Sequence, residues 1–362
     1  MKVREFQHCL GKEGISVAIF VNTGELRKDL SIQYFCGVAP ECCVLSVTSS
    51  SSLLFVPGFE VDRFREESRV RVEGFKSFKE CVSNCVSESV SSSGGCGVVG
   101  LNFSCFSLRE KLLVKSRVVD VGVKVCALRM QKTSQEIVFL KKAVCLAESV
   151  FESVCDNWSL FKTESDVYSC FLSECIVRDC VPSFLPVVAS GVNAGEPHHV
   201  ADGSRLRGFT VFDFGVVYKG YCSDITRTVF VGVPSKKDLE VYDLVLRAQS
   251  AAISVARNTI CSPSESHVQF QLLHKAACDV LGKYKKYFTH SLGHGIGVEV
   301  HEAPSVSLSS KDVGVEGVVF TVEPGLYTSR FGIRIEDDVV LEKSGVCVLS
   351  QLSRNLRLFS KK

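Results

Sequence analysis

The sequence predicts an α+β protein of two domains, in which an α/β domain precedes a larger domain of helices and hairpins. In the first 125 residues, short apolar runs suited to buried strands alternate with polar segments. A long amphipathic helix follows a junction near residues 125–132. From residue 182 onward, strand and turn patterns predominate, and two hairpins enclose acidic residues. We therefore expect an N-terminal domain at residues 1–127 and a second domain at residues 128–362.

The composition excludes several classes of protein. Charged residues are 23% and hydrophobic residues 46% of the chain, which is a globular balance and not a disordered one. A net charge of +2 gives no electrostatic reason to expect nucleic acid or an anionic membrane as a partner. No uninterrupted apolar run reaches about 18 residues, and the N-terminus lacks the apolar core of a signal peptide. We expect a cytoplasmic protein without a membrane span.

Eighteen cysteines are scattered along the chain. Disulfide frameworks are typical of short secreted chains, and no cysteines form the CxxC pairs near histidines that a zinc ribbon requires. We expect reduced cysteines that serve as small apolar side chains.

In the N-terminal domain, apolar runs bounded by turn residues predict strands. These strands lie at residues 15–21, 43–48, 53–56 and 97–102. The polar segment 59–67 is helix-like. Serines 49–52 predict a turn, and the serine-glycine run 91–95 predicts a loop.

The second domain begins with helices. Thr133 and Glu136 match a capping box, which predicts a helix that runs to about Val154. A second helix is expected at residues 165–177, with Thr163 or Ser165 near its start. Two further amphipathic helices are expected at residues 239–256 and 267–281.

Two predicted hairpins each carry a pair of acids. Residues 210–231 predict a hairpin that turns near Lys219–Gly220, so that Asp213 and Asp224 lie about level across it. Residues 318–341 predict a second hairpin that turns near 329–332. Glu323 and Glu336 lie about equally far from its midpoint, so these two carboxylates also converge.

The stretch FTHSLGHGIGVEVHEAP, residues 288–304, lies between the two hairpins and contains His290, His294 and His301. Three glycines surround His294, and we expect them to adopt backbone angles closed to other residues and to approach a ligand closely. They are Gly293, Gly295 and Gly297.

Acids within apolar strands are the informative signal, because a buried carboxylate needs a cation or a metal beside it. Buried salt bridges to Arg227 or Arg334 are the alternative for any one acid. The four acids taken together with His294 favour a metal site. Oxygen-rich sites with one imidazole suit manganese, cobalt or iron and, less distinctively, zinc. Two metals bridged by carboxylates can hold a hydroxide, which hydrolases use.

These segments resemble the metallopeptidases of the pita-bread fold, most closely the Xaa-Pro peptidases (aminopeptidase P and prolidase). The similar segments lie within residues 182–341 and read PVVASGVNAGEPHH, FDFGVVYKGYCSDITRT, HSLGHGIGVEVHEAP, FTVEPGLY and GIRIEDD. The N-terminal half is similar to the N-terminal domain of that family more weakly, for example at IQYFCGVAP, residues 32–40.

The resemblance implies a role for each candidate residue. The five metal ligands would be Asp213, Asp224, His294, Glu323 and Glu336, with Asp224 and Glu336 bridging two divalent ions, Mn²⁺ foremost and Co²⁺, Zn²⁺ or Fe²⁺ otherwise. Glu323 would also take a proton from the bridging water. Catalytic and substrate-binding roles fall to His198 and His301, and substrate-binding roles to His290 and Arg334.

The resemblance also implies an exopeptidase that cleaves between an N-terminal residue and proline, acts on proline-containing peptides and forms a homodimer. Ser305 follows HEAP where some prolidases carry an arginine that binds a dipeptide carboxylate, which favours an aminopeptidase of longer substrates. Phe209 also departs from the family pattern, because an aspartate is common there. A dipeptidase and a non-catalytic peptide-binding protein on the same fold remain as alternatives.

Overall fold

The computed structural model describes residues 2–24, 28–92, 97–262 and 267–360. The chain divides into two compact units, Met1–Arg129 and Met130–Lys362. We propose that these units are the two domains expected from the sequence. No helix within the described ranges is both long enough and apolar enough to cross a membrane.

One six-stranded sheet organises the first unit. Its strands are β1 (Ile15–Thr23), β2 (Cys42–Val47), β3 (Ser52–Pro57), β4 (Arg71–Phe75), β5 (Val98–Leu101) and β6 (Arg117–Asp120). They lie in the order β4-β3-β2-β1-β5-β6, with β1 antiparallel to β2 and parallel to β5. The helices are α1 (Lys2–Lys12), α2 (Leu30–Cys36), α3 (Val61–Arg65), α4 (Phe78–Ser92), α5 (Leu108–Lys111) and α6 (Gly122–Met130).

Strand β1 is buried on both faces, which explains the apolar run at its residues 17–21. On one face, Phe20 packs against Phe6 of α1 and Phe35 of α2, with ring centroids 5.8 Å apart in both pairs. On the other face, β1 belongs to a core that includes Cys81 and Cys85 of α4. The described cysteines are free thiols, and these two fill the core as small apolar side chains.

The predicted strands of this unit are confirmed, but one predicted loop is wrong in part. Ser91 and Ser92 belong to α4, whereas residues 93–95 of the expected loop lie outside the described residues. Helix α4 therefore extends through two serines, although the serine-rich composition of this segment alone predicts a loop.

The second unit contains four long helices and several small sheets. The helices are α7 (Ser134–Asp156), α8 (Glu164–Val177), α9 (Lys236–Ile260) and α10 (Phe270–Leu281). The strands before α10 are β7 (Val181–Pro182), β8 (Val187–Ser190), β9 (Gly208–Phe214), β10 (Val216–Tyr218), β11 (Tyr221–Cys222), β12 (Ile225–Val231) and β13 (Val268–Gln269). Those after α10 are β14 (Gly293–Gly295), β15 (Glu302–Val306), β16 (Val313–Gly314), β17 (Val319–Val322), β18 (Gly325–Tyr327), β19 (Gly332–Arg334), β20 (Asp337–Glu342), β21 (Gly345–Val348) and β22 (Leu358–Phe359).

Two of these sheets carry the candidate residues. One has the order β22-β12-β9-β8, and the other has the order β15-β14-β17-β20-β21. The short pair β18-β19 extends the hairpin of β17 and β20.

Capping residues fix where the first two helices of this unit begin. The Glu136 backbone N–H donates to Thr133 Oγ1, and the Thr133 N–H donates to Glu136 Oε2 at 2.8 Å, so the predicted capping box is confirmed. Thr163 and Asp166 form a second capping box at the start of α8. The predicted helix at 267–281 begins later, at Phe270, because residues 268–269 pair with β16 as a strand.

Aromatic side chains on one face of β9 anchor it to α7 and α8. Phe214 stacks on Phe151 of α7, and Phe212 packs edge-on against Phe171 of α8. Both β9 phenylalanines are buried. Because successive side chains of a strand alternate between faces, Asp213 must point away from this aromatic core. The core therefore determines which way the first candidate ligand faces.

The aromatic core predicts the effect of removing one ring. Phe212→Ala should lower the free energy of unfolding by about 3–5 kcal/mol, because the ring is fully buried and its loss leaves a cavity. Trp158 is the single tryptophan of the chain and contacts Phe212, so urea unfolding followed by its fluorescence reports on this unit. The control Val233→Ala, at a side chain 94% exposed, should change the free energy by less than about 0.5 kcal/mol. Equal values for both variants would contradict the packing described here.

Candidate metal centre

The first hairpin brings Asp213 and Asp224 onto the same face of the sheet. Its turn is Lys219–Gly220, with φ of 49° and 81°, and strand β9 pairs with β12 so that Thr226 lies opposite Asp213. Asp224 precedes Thr226 by two residues, so it shares the face of Asp213 and lies diagonal to it. The two acids are therefore not level across the strands, which corrects the register expected from their spacing.

The second hairpin places Glu323 opposite Glu336. Val322 pairs with Asp337 on one side of these residues, and Gly325 pairs with Arg334 on the other. Glu323 and Glu336 lie between these two residue pairs, so the same register places them opposite each other. Their carboxylates then face the acids of the first hairpin.

His294 lies on β14, which is held between β15 and β17. A side chain at Gly293 would place its Cβ 2.0 Å from Thr321 O, and one at Gly295 would place it 2.0 Å from Ala303 O. None of the three glycines around His294 has a positive φ, so the expectation of unusual backbone angles there is wrong. Gly293 and Gly295 let the backbones of neighbouring strands approach closely, and Gly297 leaves room for the Glu302 side chain.

The candidate ligand atoms form groups that share members. One group joins Asp213, Asp224 and Glu336, and another joins His294, Glu323 and Glu336, with the atoms of each group within 4.8 Å of one another. A third group joins Asp224, His294 and His301. Glu336 belongs to the first two groups, which is the arrangement that a carboxylate between two adjacent cations requires.

Burial and mutual repulsion strongly perturb these acids. Burial raises the pKa of both Asp224 and Glu336 well above the ordinary values, and the neighbouring carboxylates raise it further. Burial raises the pKa of Glu323 to about 8, although Arg334 opposes this rise. Burial also lowers the pKa of His294 to about 4, with His301 adding to the effect. A cation at this point would relieve both the repulsion and the cost of burial.

Two carboxylate oxygens of the candidate ligands are left without a donor. In the described part of the chain, Asp213 Oδ1 and Asp224 Oδ1 are buried and accept no hydrogen bond. Buried oxygens of this kind need a partner, and carboxylate oxygens are ligands for divalent cations. The residues present therefore fit a metal site.

Salt bridges neutralise only part of the negative charge of the four candidate carboxylates. Arg334 Nη2 lies 2.5 Å from Asp213 Oδ2, and Arg334 is the only arginine or lysine among the described residues that line the cavity around the site. Arg227 instead pairs with Asp337 at 2.6 Å and donates to Glu336 O, so it supports the backbone of a candidate ligand. One arginine cannot neutralise four carboxylates, and the salt-bridge alternative is insufficient.

A cavity of about 1070 Å³ opens beside these residues and contains the remaining candidate histidines. His198 and His301 are exposed to it. The two ring nitrogens of His290 are engaged within the protein, Nδ1 by Ser291 O at 2.7 Å and Nε2 by the Tyr327 hydroxyl at 3.0 Å. Both nitrogens of His290 are therefore already used within the protein, and only the face of its ring is left for a further contact.

Two buried supporting residues, Lys132 and Asp338, were missed by sequence reasoning, whereas Glu302 was expected to orient a ligand. Lys132 Nζ lies 2.8 Å from Glu302 Oε1, and both side chains are at most 4% exposed. Asp338 Oδ2 accepts the backbone N–H of Asp224 at 3.1 Å. The available signals were a lysine directly before the Thr133 capping box and two further acids directly after Glu336.

Comparison with known proteins agrees with this geometry. Residues 139–343 match metallopeptidase family M24, and residues 2–131 match the creatinase/prolidase N-terminal domain. A Pyrococcus furiosus protein named Xaa-Pro dipeptidase is 33% identical over 339 residues, which cover 91% of this chain and 94% of that protein.

Solved structures give the same result. The prolidase from Pyrococcus horikoshii OT3 has a TM-score of 0.85 and 30% sequence identity, with 98% of this chain and 99% of that chain covered. The X-Pro aminopeptidase from Thermotoga maritima MSB8 has a TM-score of 0.84 and 30% identity, over 96% of this chain and 99% of that chain. The resemblance and the pita-bread fold inferred from the sequence are confirmed, and the chain belongs to metallopeptidase family M24, a family of metal-dependent hydrolases.

Proposed function

We propose that this protein is a dinuclear-metal exopeptidase that hydrolyses the bond between an N-terminal residue and proline, with Xaa-Pro dipeptides as its main substrates. The main support for hydrolase activity is that four carboxylates and one imidazole, from two hairpins and β14, converge at one point. The curated relative that is 33% identical carries the name Xaa-Pro dipeptidase, which supports dipeptides. The aminopeptidase expectation drawn from the sequence becomes the second candidate.

In this proposal, two divalent cations, with Mn²⁺ foremost, are held by the five candidate ligands. Asp213 completes one site, His294 and Glu323 complete the other, and Asp224 and Glu336 belong to both. Bound cations would supply Lewis-acid polarisation of the scissile carbonyl and a water of lowered pKa. The overlap of the ligand groups at Glu336 supports this assignment.

The protein residues move the proton and orient the substrate. Glu323 takes the proton from the attacking water, a role that its place in one ligand group with His294 and Glu336 supports. His198 and His301 face the cavity and donate hydrogen bonds to the oxygen of the scissile carbonyl. His290, with both nitrogens engaged, packs its ring against the proline of the substrate.

A specific observation favours the second candidate, an aminopeptidase of longer peptides. A dipeptide has a free carboxylate beside the proline, and binding it calls for a cation or several donors. Arg334 is the one arginine or lysine among the described residues that line the cavity, and Asp213 already pairs with it. Ser305 occupies the position after HEAP, and a cavity of about 1070 Å³ leaves room for more than two residues.

The homodimer and the cytoplasmic location stay predictions of the sequence.

Cleavage of a matched peptide pair tests the proposed function. We expect the metal-free protein to be inactive on Ala-Pro and Ala-Pro-Ala, and added Mn²⁺ to restore cleavage with a higher kcat/KM for Ala-Pro. A higher kcat/KM for Ala-Pro-Ala would establish the second candidate. If a folded protein cleaves neither peptide with Mn²⁺, Co²⁺, Zn²⁺ or Fe²⁺, the chain is a binding protein on this fold.

Metal content tests the ligand assignment. Glu336→Gln should abolish stoichiometric binding of both ions, because Glu336 belongs to both ligand groups. Asp213→Asn should remove one ion of the two, because Asp213 belongs to a single group. Metal per chain is measured by mass spectrometry after gel filtration. The control Glu342→Gln changes a partly exposed acid at the far end of β20, which belongs to none of the ligand groups among the described residues, and it should leave two ions. Two ions retained by Glu336→Gln would contradict the shared ligand.

The stability of the metal-free protein should fall as the pH rises from about 6.5 to about 8. Burial raises the pKa of Glu323 from 4.5 to about 8 and raises that of Asp224 and Glu336, whereas unfolded carboxyls are already ionised in this range. The folded chain therefore binds more protons than the unfolded chain, and that stabilisation is lost as the pH rises through the folded pKa. His290 and His294, whose pKa burial lowers to about 4, are neutral in the folded state, whereas unfolded histidines still lose protons just above pH 6.5. This loss opposes the fall but is the smaller effect, because three carboxyls contribute to the fall.

Calorimetry in EDTA at pH 6.5 and pH 8.0 measures this change as a fall in Tm. The variant Glu323→Gln has no charge to bury, so its Tm should depend less on pH. Saturating Mn²⁺ should raise the Tm of the unsubstituted protein more at pH 8.0 than at pH 6.5. A Tm in EDTA that rises across this interval would show that the carboxylates are not destabilised by burial.

A further inference from the structure

A buried carboxylate outside the ligand set holds the loop that carries His198. Glu164 is the first residue of α8, a position where an acid is commonly exposed and interacts with the helix dipole. Here its side chain is 0% exposed. The mechanism proposed above gives this residue no role, and a fully buried glutamate requires one.

Both oxygens of Glu164 are engaged by the loop that follows β8. Oε1 accepts the backbone N–H of Ser190 at 2.7 Å and the side-chain amide of Asn193 at 3.1 Å. Oε2 lies 2.7 Å from His199 Nε2 and accepts the backbone N–H of Asp202 at 3.3 Å. The four partners span the whole segment from the end of β8 to Asp202.

His198 lies inside this segment and has no side-chain anchor of its own. Across the described residues, its ring makes no hydrogen bond or ion pair, whereas the adjacent His199 ring is 11% exposed and is held by Glu164. Pro197, His198 and His199 all border the cavity. The position of the His198 ring therefore depends on the loop backbone, and Glu164 and His199 fix that backbone.

We propose that Glu164 and His199 are a positioning pair that sets His198 against the substrate carbonyl. Glu164 acts through the loop and touches no substrate. The proposal rests on the role given to His198 in the proposed function, and it makes His199 the partner of a buried carboxylate and not a second substrate-binding histidine. A misplacement of about 1 Å in a catalytic group can reduce the rate by about 100-fold, so this pair can control turnover from outside the reacting atoms.

A double-mutant cycle tests the proposal. Glu164→Gln keeps the shape of the side chain but presents an NH₂ group to the loop, and this group cannot accept the hydrogen bond of the Asp202 N–H. The substitution should lower kcat/KM, measured on the better of the two substrates Ala-Pro and Ala-Pro-Ala, by about 10- to 100-fold. In a His198→Ala background, the same change should lower kcat/KM by less than about twofold, because its effect passes through His198. An equal loss in both backgrounds, or no loss in either, would overturn the proposal.

Matched variants separate positioning from general destabilisation. Glu174→Gln makes the same substitution near the other end of α8, and it should leave kcat/KM unchanged. His199→Leu removes the donor to Glu164 and should reproduce the loss, while His199→Gln keeps a donor near the Nε2 position and should recover most of the activity. This recovery also tests the pair if Glu164→Gln fails to fold. Equal activity of His199→Leu and His199→Gln would overturn the role of His199.

A measurement without turnover separates this proposal from the proposed function. In spectra of protein labelled with ¹⁵N-histidine, Glu164→Gln should shift or broaden the ring resonances of His198, whereas Glu174→Gln should not. The ring of His274, which is buried elsewhere against Phe288, should be unchanged in both variants. If the unsubstituted protein cleaves neither peptide, the proposed function fails, and the spectra still decide the positioning. Unchanged His198 resonances in Glu164→Gln would refute it.

Discussion

Repulsion among buried carboxylates is the interaction on which the second unit depends. Two hairpins bring Asp213, Asp224, Glu323 and Glu336 to one point, where burial and neighbouring charge oppose ionisation. Arg334 neutralises only one of them directly. A fold that holds such a cluster gains stability when cations bind, so metal binding and the stability of this unit are coupled.

The strands tolerate these acids because each strand separates an apolar face from a polar one. In β9, Phe212 and Phe214 face the aromatic core of α7 and α8, while Asp213 faces the opposite side. The packing of the phenylalanines therefore supplies the energy that holds the carboxylate in place. Glycines complete the arrangement, since Gly293 and Gly295 let β14 insert His294 between two neighbouring strands.

A second layer of buried polar residues holds the backbone around the site. Arg227 binds Glu336 O, Asp338 accepts the Asp224 N–H, and Lys132 pairs with Glu302 beside His301. Glu164 has the same relation to the loop of His198. Most of these side chains are held by several hydrogen bonds or ion pairs, which stabilises a buried polar group and fixes its position, although Asp338 Oδ1 accepts no hydrogen bond from the described residues. Precision at the site thus comes from residues that lie one contact away from it.

The sequence by itself determined the two-part α+β organisation, the capped starts of α7 and α8, and the opposition of Glu323 and Glu336. These features follow from local rules: alternation along a strand, capping within one turn, and symmetry about a hairpin turn. A turn at Lys219–Gly220 places residue 226, and not Asp224, opposite Asp213, so the diagonal offset already follows from the predicted turn. The tertiary structure decided that β9 and β12 keep this register.

The tertiary structure also decided which partner each buried charge has. Lys132 and Glu302 are 170 residues apart, and Glu164 and His199 are 35 apart, so no local period connects them. The hydrogen bond between His290 Nε2 and the Tyr327 hydroxyl, and the close approach of neighbouring strands at Gly293 and Gly295, likewise depend on tertiary packing. Sequence patterns report which face a residue occupies, whereas the identity of its neighbour depends on how separate elements pack together.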